Sequence, residues 1–353
     1  MAIDDLAPHP RLAARACLNG MSNTFLPKHR LRLALCVLFA FRTIAVCQIL
    51  DLRDLNVDDI RSLDRQRTAV MLQGGILEQH GPYLPLYSDG WLNEYLTREL
   101  AEAIVARPGW KVLVFPVIPL GSGGANEIGR KYSFPGTFAV RPATLRALYM
   151  DLAAELGEQG FRWVFLMNAH GAPSHSRALF DACDFYRDVY GHTMVHLCGL
   201  VPIAQWFQDA QRLWSEEARR ENGFLVHADM LETSWILYLR PTAVRSTYRA
   251  APSRTAPAMS DVVRLAEQPD WQGYFGAPRL ATPSHGAQAV QDIARRITKL
   301  ALEILDGADA RKIARFTDAM KDVPEQVQVD AAAATHDADL ERKQREWLRK
   351  RDR

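Results

Sequence analysis

A chain of 353 residues with 48% hydrophobic and 24% charged residues has the proportions of a soluble globular protein, which excludes a disordered or collagen-like polymer. Its 43 Lys+Arg against 41 Asp+Glu leave a formal charge of +2, so no global field draws it to nucleic acid or an anionic membrane, and its partners are expected to be small molecules. The cysteines Cys17, Cys36, Cys47, Cys183 and Cys198 are odd in number and form no CxxC pair, which argues against a disulfide framework or a cysteine zinc site and for a reducing, cytoplasmic compartment.

Along the chain, a basic cluster (Lys28, Arg30, Arg32) precedes an apolar run, 33–41, that Arg42 interrupts. A membrane-spanning helix needs about 20 apolar residues, and a signal peptide starting at Met1 would have an unusually long leader. Export through 28–47 is therefore disfavoured, and residues 1–49 are expected to form an N-terminal extension, helical or poorly ordered. Asn56 is placed to cap a short helix with Ile60 and Leu63 inward, and 68–72 reads as a first buried strand. Apolar residues from Leu92 to Ile104 recur at helical spacing, Pro108-Gly109 closes that helix, and 111–118 is strand-like. The scheme repeats with a helix over 142–156, a strand over 163–168, a helix over 174–190 and a strand over 193–200. Beyond Leu200 the pattern predicts amphipathic helices over 204–220 and 228–239, irregular covering structure over 241–285, and a helix with Val290, Ile293, Ile297, Leu300 and Ile304 on one face, ending at Gly307. Residues 50–310 are expected to form one α/β domain around a mainly parallel sheet, and 311–353 a charged, partly helical or disordered tail.

Three segments carry the chemistry. The loop 77–89, LEQHGPYLPLYSD, follows the first strand. Glu78 and His80 lie two apart, so in extended chain both project from one side, and Asp89 falls at the expected start of the next helix. Carboxylate, imidazole and carboxylate suit Zn, Mn or Fe, and a carboxylate can bridge two ions. The second segment, MNAHGAP, puts His170 at a strand exit, where ligands gather in open α/β sheets. The third, HADMLETS, has His227 five residues before Glu232. On an ideal helix that separation is about 140° of rotation, so the two share a site only if the helix starts after His227.

Together these residues resemble the creatininase family of metal-dependent amidohydrolases. The family pattern, E-Q-H-G-P-H-L-P-L-x-x-D, F-P-G-T, N-G-H-G-G-N and H-A-G-E-x-E-T-S, is matched in order by Glu78 to Leu86 with Asp89, by Phe134-Pro135-Gly136-Thr137, by Asn168-Ala169-His170-Gly171, and by His227-Ala228 with Glu232-Thr233-Ser234. The resemblance implies a three-layer α/β/α sandwich, often assembled as a hexamer. It also implies two divalent metal ions held by Glu78, His80, Asp89 and His170, with Asp89 as the bridge. Family members that hydrolyse creatinine carry a glutamate two residues after the last ligand histidine; here Ala172 and Pro173 follow, which moves the chain away from creatinine. Asp229 and Met230 replace the usual Gly and Glu, and 121–133, GSGGANEIGRKYS, departs from the family wording. That stretch lacks the Lys-Ser/Thr pair of a phosphate-binding loop and reads as a substrate loop.

The expected reaction is hydrolysis of a non-peptide C–N bond, in an amide, cyclic amide or formamide, by metal-activated water. His227 is the expected proton donor to the leaving nitrogen, with Glu232 orienting it or shuttling a proton. A catalytically inactive metal-binding scaffold is the alternative. A nucleotide-binding protein is disfavoured because no GxGxxG follows the first strand.

Overall fold

The computed structural model describes residues 48–351; the basic and apolar segment 28–47 lies outside them. The first part of the described chain alternates strands and helices: β1 (Ile49–Asp51), α1 (Val57–Arg61), β2 (Thr68–Gln73), α2 (Ser88–Val105), β3 (Lys111–Val114), α3 (Pro142–Glu158), β4 (Trp163–Met167), α4 (Pro173–Tyr190) and β5 (Thr193–His196). The strands form one sheet in the order β1-β3-β2-β4-β5, every pair parallel. A parallel sheet covered on both faces requires strands apolar on both sides, and β2 (TAVMLQ) is buried at every position. Its Ala69 and Met71 pack with Leu92, Leu96 and Leu100 of α2, while Val70 and Leu72 pack with Leu145, Tyr149 and Ala153 of α3 and Leu179 of α4. Each fully buried aliphatic side chain contributes about 1.5–3 kcal/mol, and the alternation of neighbours along β2 fixes the three-layer α/β/α arrangement.

The remaining helices are α5 (Val201–Ala204), α6 (Trp206–Arg212), α7 (Glu216–Asn222), α8 (Met230–Leu239), α9 (Met259–Glu267), α10 (Pro283–Leu305), α11 (Phe316–Met320) and α12 (Pro324–Arg351). Helices α8 and α10 join α2 on one face of the sheet. Among the described residues no helix is long and apolar enough to cross a membrane.

Several elements differ from the sequence expectation for local reasons. Strand β3 stops at Val114 rather than Ile118: Phe115 N and Ile118 N still donate to Met71 O and Gln73 O, both at 3.0 Å, but Pro116 between them has no N–H to give. Strand β5 stops at His196, where the chain tightens into a 3₁₀ turn, Leu197–Gly199. The helix expected over 204–220 is broken, because Ser215 Oγ accepts from Ala218 N (3.1 Å) and starts α7 afresh. The irregular region 241–285 contains α9, with Val262 and Ala266 buried. The tail is helical through α12 and is tied to the body through Arg177–Asp330 (2.5 Å), Arg141–Glu341 (3.1 Å) and a stack of Tyr132 on His336 with centroids 4.3 Å apart.

Candidate metal centre

The connections leaving β2 and β4 run to opposite sides: β2 leads through α2 to β3, and β4 through α4 to β5. Neighbouring strands whose connections diverge leave a crevice at their carboxyl ends, and the loops carrying Glu78, His80 and His170 empty into it. Asn93, fully buried on α2, ties the two exits together by donating from Nδ2 to Gly74 O (2.9 Å) and accepting Ala169 N at Oδ1 (2.8 Å). The loop after β2 needs Gly81 at φ 64 to turn between His80 and Pro82. It is braced by the 134–137 segment, where Thr137 Oγ1 accepts from Gln79 N (3.3 Å) and Phe138 N donates to Leu77 O (2.8 Å).

Glu78, Asp89 and His170 bring ligand atoms within 4.8 Å of one another, as do Glu78, His80 and His227. Backbone carbonyls decide which histidine nitrogens are free. His80 Nδ1 lies 3.0 Å from Glu78 O and His170 Nε2 lies 3.1 Å from Ser122 O; a carbonyl only accepts, so each of these nitrogens carries its hydrogen. His170 therefore turns the lone pair of Nδ1 toward Asp89 Oδ2 (3.2 Å) and Glu78 Oε2 (3.4 Å). His80 turns Nε2 toward Asp89 Oδ1 (3.6 Å) and Glu232 Oε2 (3.7 Å). The two oxygens of Asp89, in the first turn of α2, thus face different imidazoles. Glu78 Oε2 and Asp89 Oδ2 are buried with no hydrogen-bond donor among the described residues. Buried carboxylate oxygens left in this way, opposite imidazole lone pairs, fit a site for divalent cations.

His227 is placed differently. Its Nε2 lies 2.6 Å from Gln79 O and so carries the hydrogen, and Glu78 Oε1, 3.7 Å away, already accepts Ala125 N at 2.5 Å. That makes the Glu78–His80–His227 group the poorer cation site. Helix α8 starts at Met230, after His227, which meets the condition for His227 and Glu232 to share a site: Nδ1 and Oε2 are 3.9 Å apart. Ala228 makes the turn with φ 50, and its N–H donates to Glu232 Oε2 at 2.6 Å.

The electrostatics follow from burying four acids and three imidazoles together. Burial alone would depress the histidines, but Asp89 and the other carboxylates hold His80 up at about 10 and, with Glu78 foremost, His170 at about 9. Asp89 sits far below the usual carboxylate range: burial raises it, and His170 and His80 more than reverse that. Burial lowers His227 to about 4. Burial, with Asp229 and Asp89 adding to it and His80 opposing, lifts Glu232 to about 8. The carboxylates thus draw protons toward the same His80 and His170 nitrogens for which a cation would compete, while His227 stays a neutral ring.

All six residues singled out in the sequence meet in this one pocket, and several others act there. Asp229, which replaces a family glycine, caps α8 by accepting Leu231 N (2.8 Å) and Glu232 N (3.2 Å). Asn222 Oδ1 accepts Met230 N and Ala277 N, both at 3.0 Å, and anchors the same turn. Glu127, in the 3₁₀ segment Ala125–Gly129, is pushed up to about 7 by burial, Asp337 of α12 and Glu78. An acid before a helical run signals the Asp229 cap; the carbonyls of Gln79 and Ser122 have no sequence signal, because every residue carries one.

An open parallel sheet with two overlapping carboxylate–imidazole groups at its crevice defines an α/β protein with a candidate metal centre. The chain belongs to the creatininase family: the family model described as creatinine amidohydrolase matches residues 53–301. Creatinine amidohydrolase of Pseudomonas putida is 29% identical over 184 residues, covering 50% of this chain and 65% of that protein, a little under two thirds of its length. The mycofactocin precursor peptide peptidase of Mycolicibacterium smegmatis is 27% identical over 255 residues, covering 69% and 90%. Among solved structures, one titled "Creatininase Mn" superposes with a TM-score of 0.55 at 22% identity over 72% of this chain and 98% of its own, and a mutant creatininase of Zn-Zn type with 0.53 at 20% over 72% and 98%. At that identity these structures speak for the shared fold alone.

Proposed function

We propose that the protein is a metal-dependent hydrolase that cleaves a C–N bond of a non-peptide amide, cyclic amide or formamide with water. The observation that carries this reading is the pair of undonated carboxylate oxygens, Glu78 Oε2 and Asp89 Oδ2, buried opposite the free nitrogen of His170. Glu78, Asp89 and His170 would hold one divalent ion, and His80 with Asp89 a second; the names of the neighbouring structures favour Mn or Zn, with Fe the third option. Ions bound there would supply Lewis acidity toward a carbonyl oxygen and toward water.

The chain's own groups do the rest. His227, outside the better ligand set and neutral at rest, is the proton donor to the leaving nitrogen only after taking a proton at Nδ1 from Glu232, whose carboxyl keeps its own up to about pH 8. Glu232 Oε2, pinned by Ala228 N and facing both His227 Nδ1 and His80 Nε2, relays protons between the centre and His227. The loop 121–133, which reaches the centre through Ala125 N, shapes the substrate end of the pocket. Short peptides are the second reading, favoured by the alignment with the peptide peptidase over 90% of its length. A cytoplasmic homo-oligomer, hexameric as the family resemblance implies, completes the proposal.

The test is a hydrolysis panel of cyclic amides, formamides and short peptides with Mn²⁺- or Zn²⁺-loaded protein, run beside His227→Ala. The variant is expected to keep its metal and lose about 10²-fold to 10⁴-fold in turnover, with smaller losses for better leaving groups. A fully metallated wild type that cleaves nothing in the panel would favour the inactive scaffold, and a metal-free His227→Ala would move His227 into the ligand set.

A further inference from the structure

Behind the metal centre stands a second histidine that the sequence motifs do not mark. His175 lies in the first turn of α4, five residues after His170, with its side chain fully buried. Its Nδ1 is 3.2 Å from Ser122 N. A backbone amide only donates, so Nδ1 must be the acceptor, and a neutral ring then carries its hydrogen on Nε2. The same Ser122 presents its carbonyl to His170 Nε2 at 3.1 Å, with Gly123 O at 3.3 Å. The rings of His170 and His175 meet edge to face with centroids 5.0 Å apart.

We propose that His175 is a positioning residue for metal binding: by accepting the Ser122 amide it fixes the 121–123 backbone, whose carbonyls set the tautomer and direction of His170. The backbone there has little slack. A Cβ on Gly121 would stand 2.7 Å from Ile76 Cβ and 2.9 Å from Gly75 O, with His175 Cε1 at 3.2 Å. A shift of Ser122 therefore passes to His170 rather than being absorbed. A leucine would fill the ring's place with less desolvation cost but would leave the Ser122 N–H unpaired. Partners that orient a ligand histidine through its second nitrogen affect metal affinity by about tenfold to a hundredfold.

The inference rests on His170 being a metal ligand and is independent of which bond is cleaved, so its test uses Mn²⁺ alone. The full-length apo-protein, His175→Asn, His175→Gln and His175→Leu are titrated with Mn²⁺ by calorimetry, and the apo thermal midpoint of each is recorded. Asn carries an acceptor oxygen near the position of Nδ1, whereas Gln carries its amide one methylene further out. His175→Asn should bind Mn²⁺ close to wild type, while Gln and Leu weaken the site containing His170 by about tenfold or more, beyond what their apo midpoints account for. If Leu does not fold, the Asn and Gln pair decides. Equal affinities for Asn and Gln, or wild-type affinity in Leu, would overturn the proposal; a wild type that binds no Mn²⁺ would overturn the metal-centre reading beneath it.

Discussion

His196, the last residue of β5, is fully buried, with Nε2 3.2 Å from Ser176 Oγ and its ring 5.1 Å from Phe180. Burial, reinforced by the Arg315 guanidinium, lowers it to about 3. Its ordinary value is about 6.5, so between the two values the unfolded chain binds a proton that the folded chain refuses. The stability from this group is complete above pH 6.5 and is lost as pH falls, by up to about 1.4 kcal/mol per pH unit. Urea unfolding at pH 7 and pH 5 should show wild type losing about 2 kcal/mol more than His196→Gln over that step; equal losses would contradict this account of His196. At this scale the sequence is informative about residue type and blind to hydrogen-bond partners. Glu78, His80, Asp89 and His170 are legible as candidate ligands because metal-binding chemistry narrows the choice to a few side chains at strand exits. The roles of Gln79 and Ser122 are not, since they act through backbone carbonyls, and neither is Asn93, whose bridge depends on how α2 packs across two strands.

Among the elements, α12 has the most to say about the loop at the centre. It is a polar helix laced with pairs such as Glu341–Arg345 and Arg342–Glu346 (3.2 Å), and half-exposed ion pairs of this kind contribute little. Besides Arg177–Asp330, it meets the body through the Tyr132–His336 stack and the Arg141 contacts to Glu341 and Gln344, both at 3.1 Å. The stack contributes about 0.5–1.5 kcal/mol beyond burial, and Tyr132 ends the same loop that carries Glu127 and Ala125. A chain truncated after Met320 should keep β2 and β4 protected from hydrogen exchange while amides in 121–133 exchange several-fold faster. Unchanged exchange in that loop would show that Lys131, through its contacts with Ala266 O and Gln268 O (3.1 Å), holds it without α12. Legibility at this scale depends on length. Asn56 forms the expected cap, accepting Asp58 N at 2.8 Å and Asp59 N at 3.2 Å, and the long helices α3, α4 and α10 follow their apolar spacing. Strand β1, with three residues, is too short to show a period. Helix α9 does carry a readable stripe, Met259, Val262, Leu265 and Ala266, which the prolines and glycines around it obscure.

For the whole molecule, the parallel sheet and its crevice are what turn separated motifs into one centre. The loops after β2 and β4, which carry His80 and His170, are far apart in sequence, yet adjacent strands deliver them to the same place, and α8 with the turn before it brings Glu232 and His227 to it. The order of the strands cannot be read from their sequences, because each is apolar on both sides; the candidate ligands at two strand exits are what makes the site readable without the topology. The central proposal is that Asp89, whose Oδ1 faces His80 and Oδ2 faces His170, would join two cation sites. The measurement that tests it most directly is the metal-to-protein ratio, by mass spectrometry of the elements, for wild type and Asp89→Asn loaded with Mn²⁺ or Zn²⁺. An uncharged amide is a poor bridge between cations, so wild type should hold two ions per chain and Asp89→Asn at most one, with hydrolysis lost. Full metal content in Asp89→Asn would contradict the binuclear account.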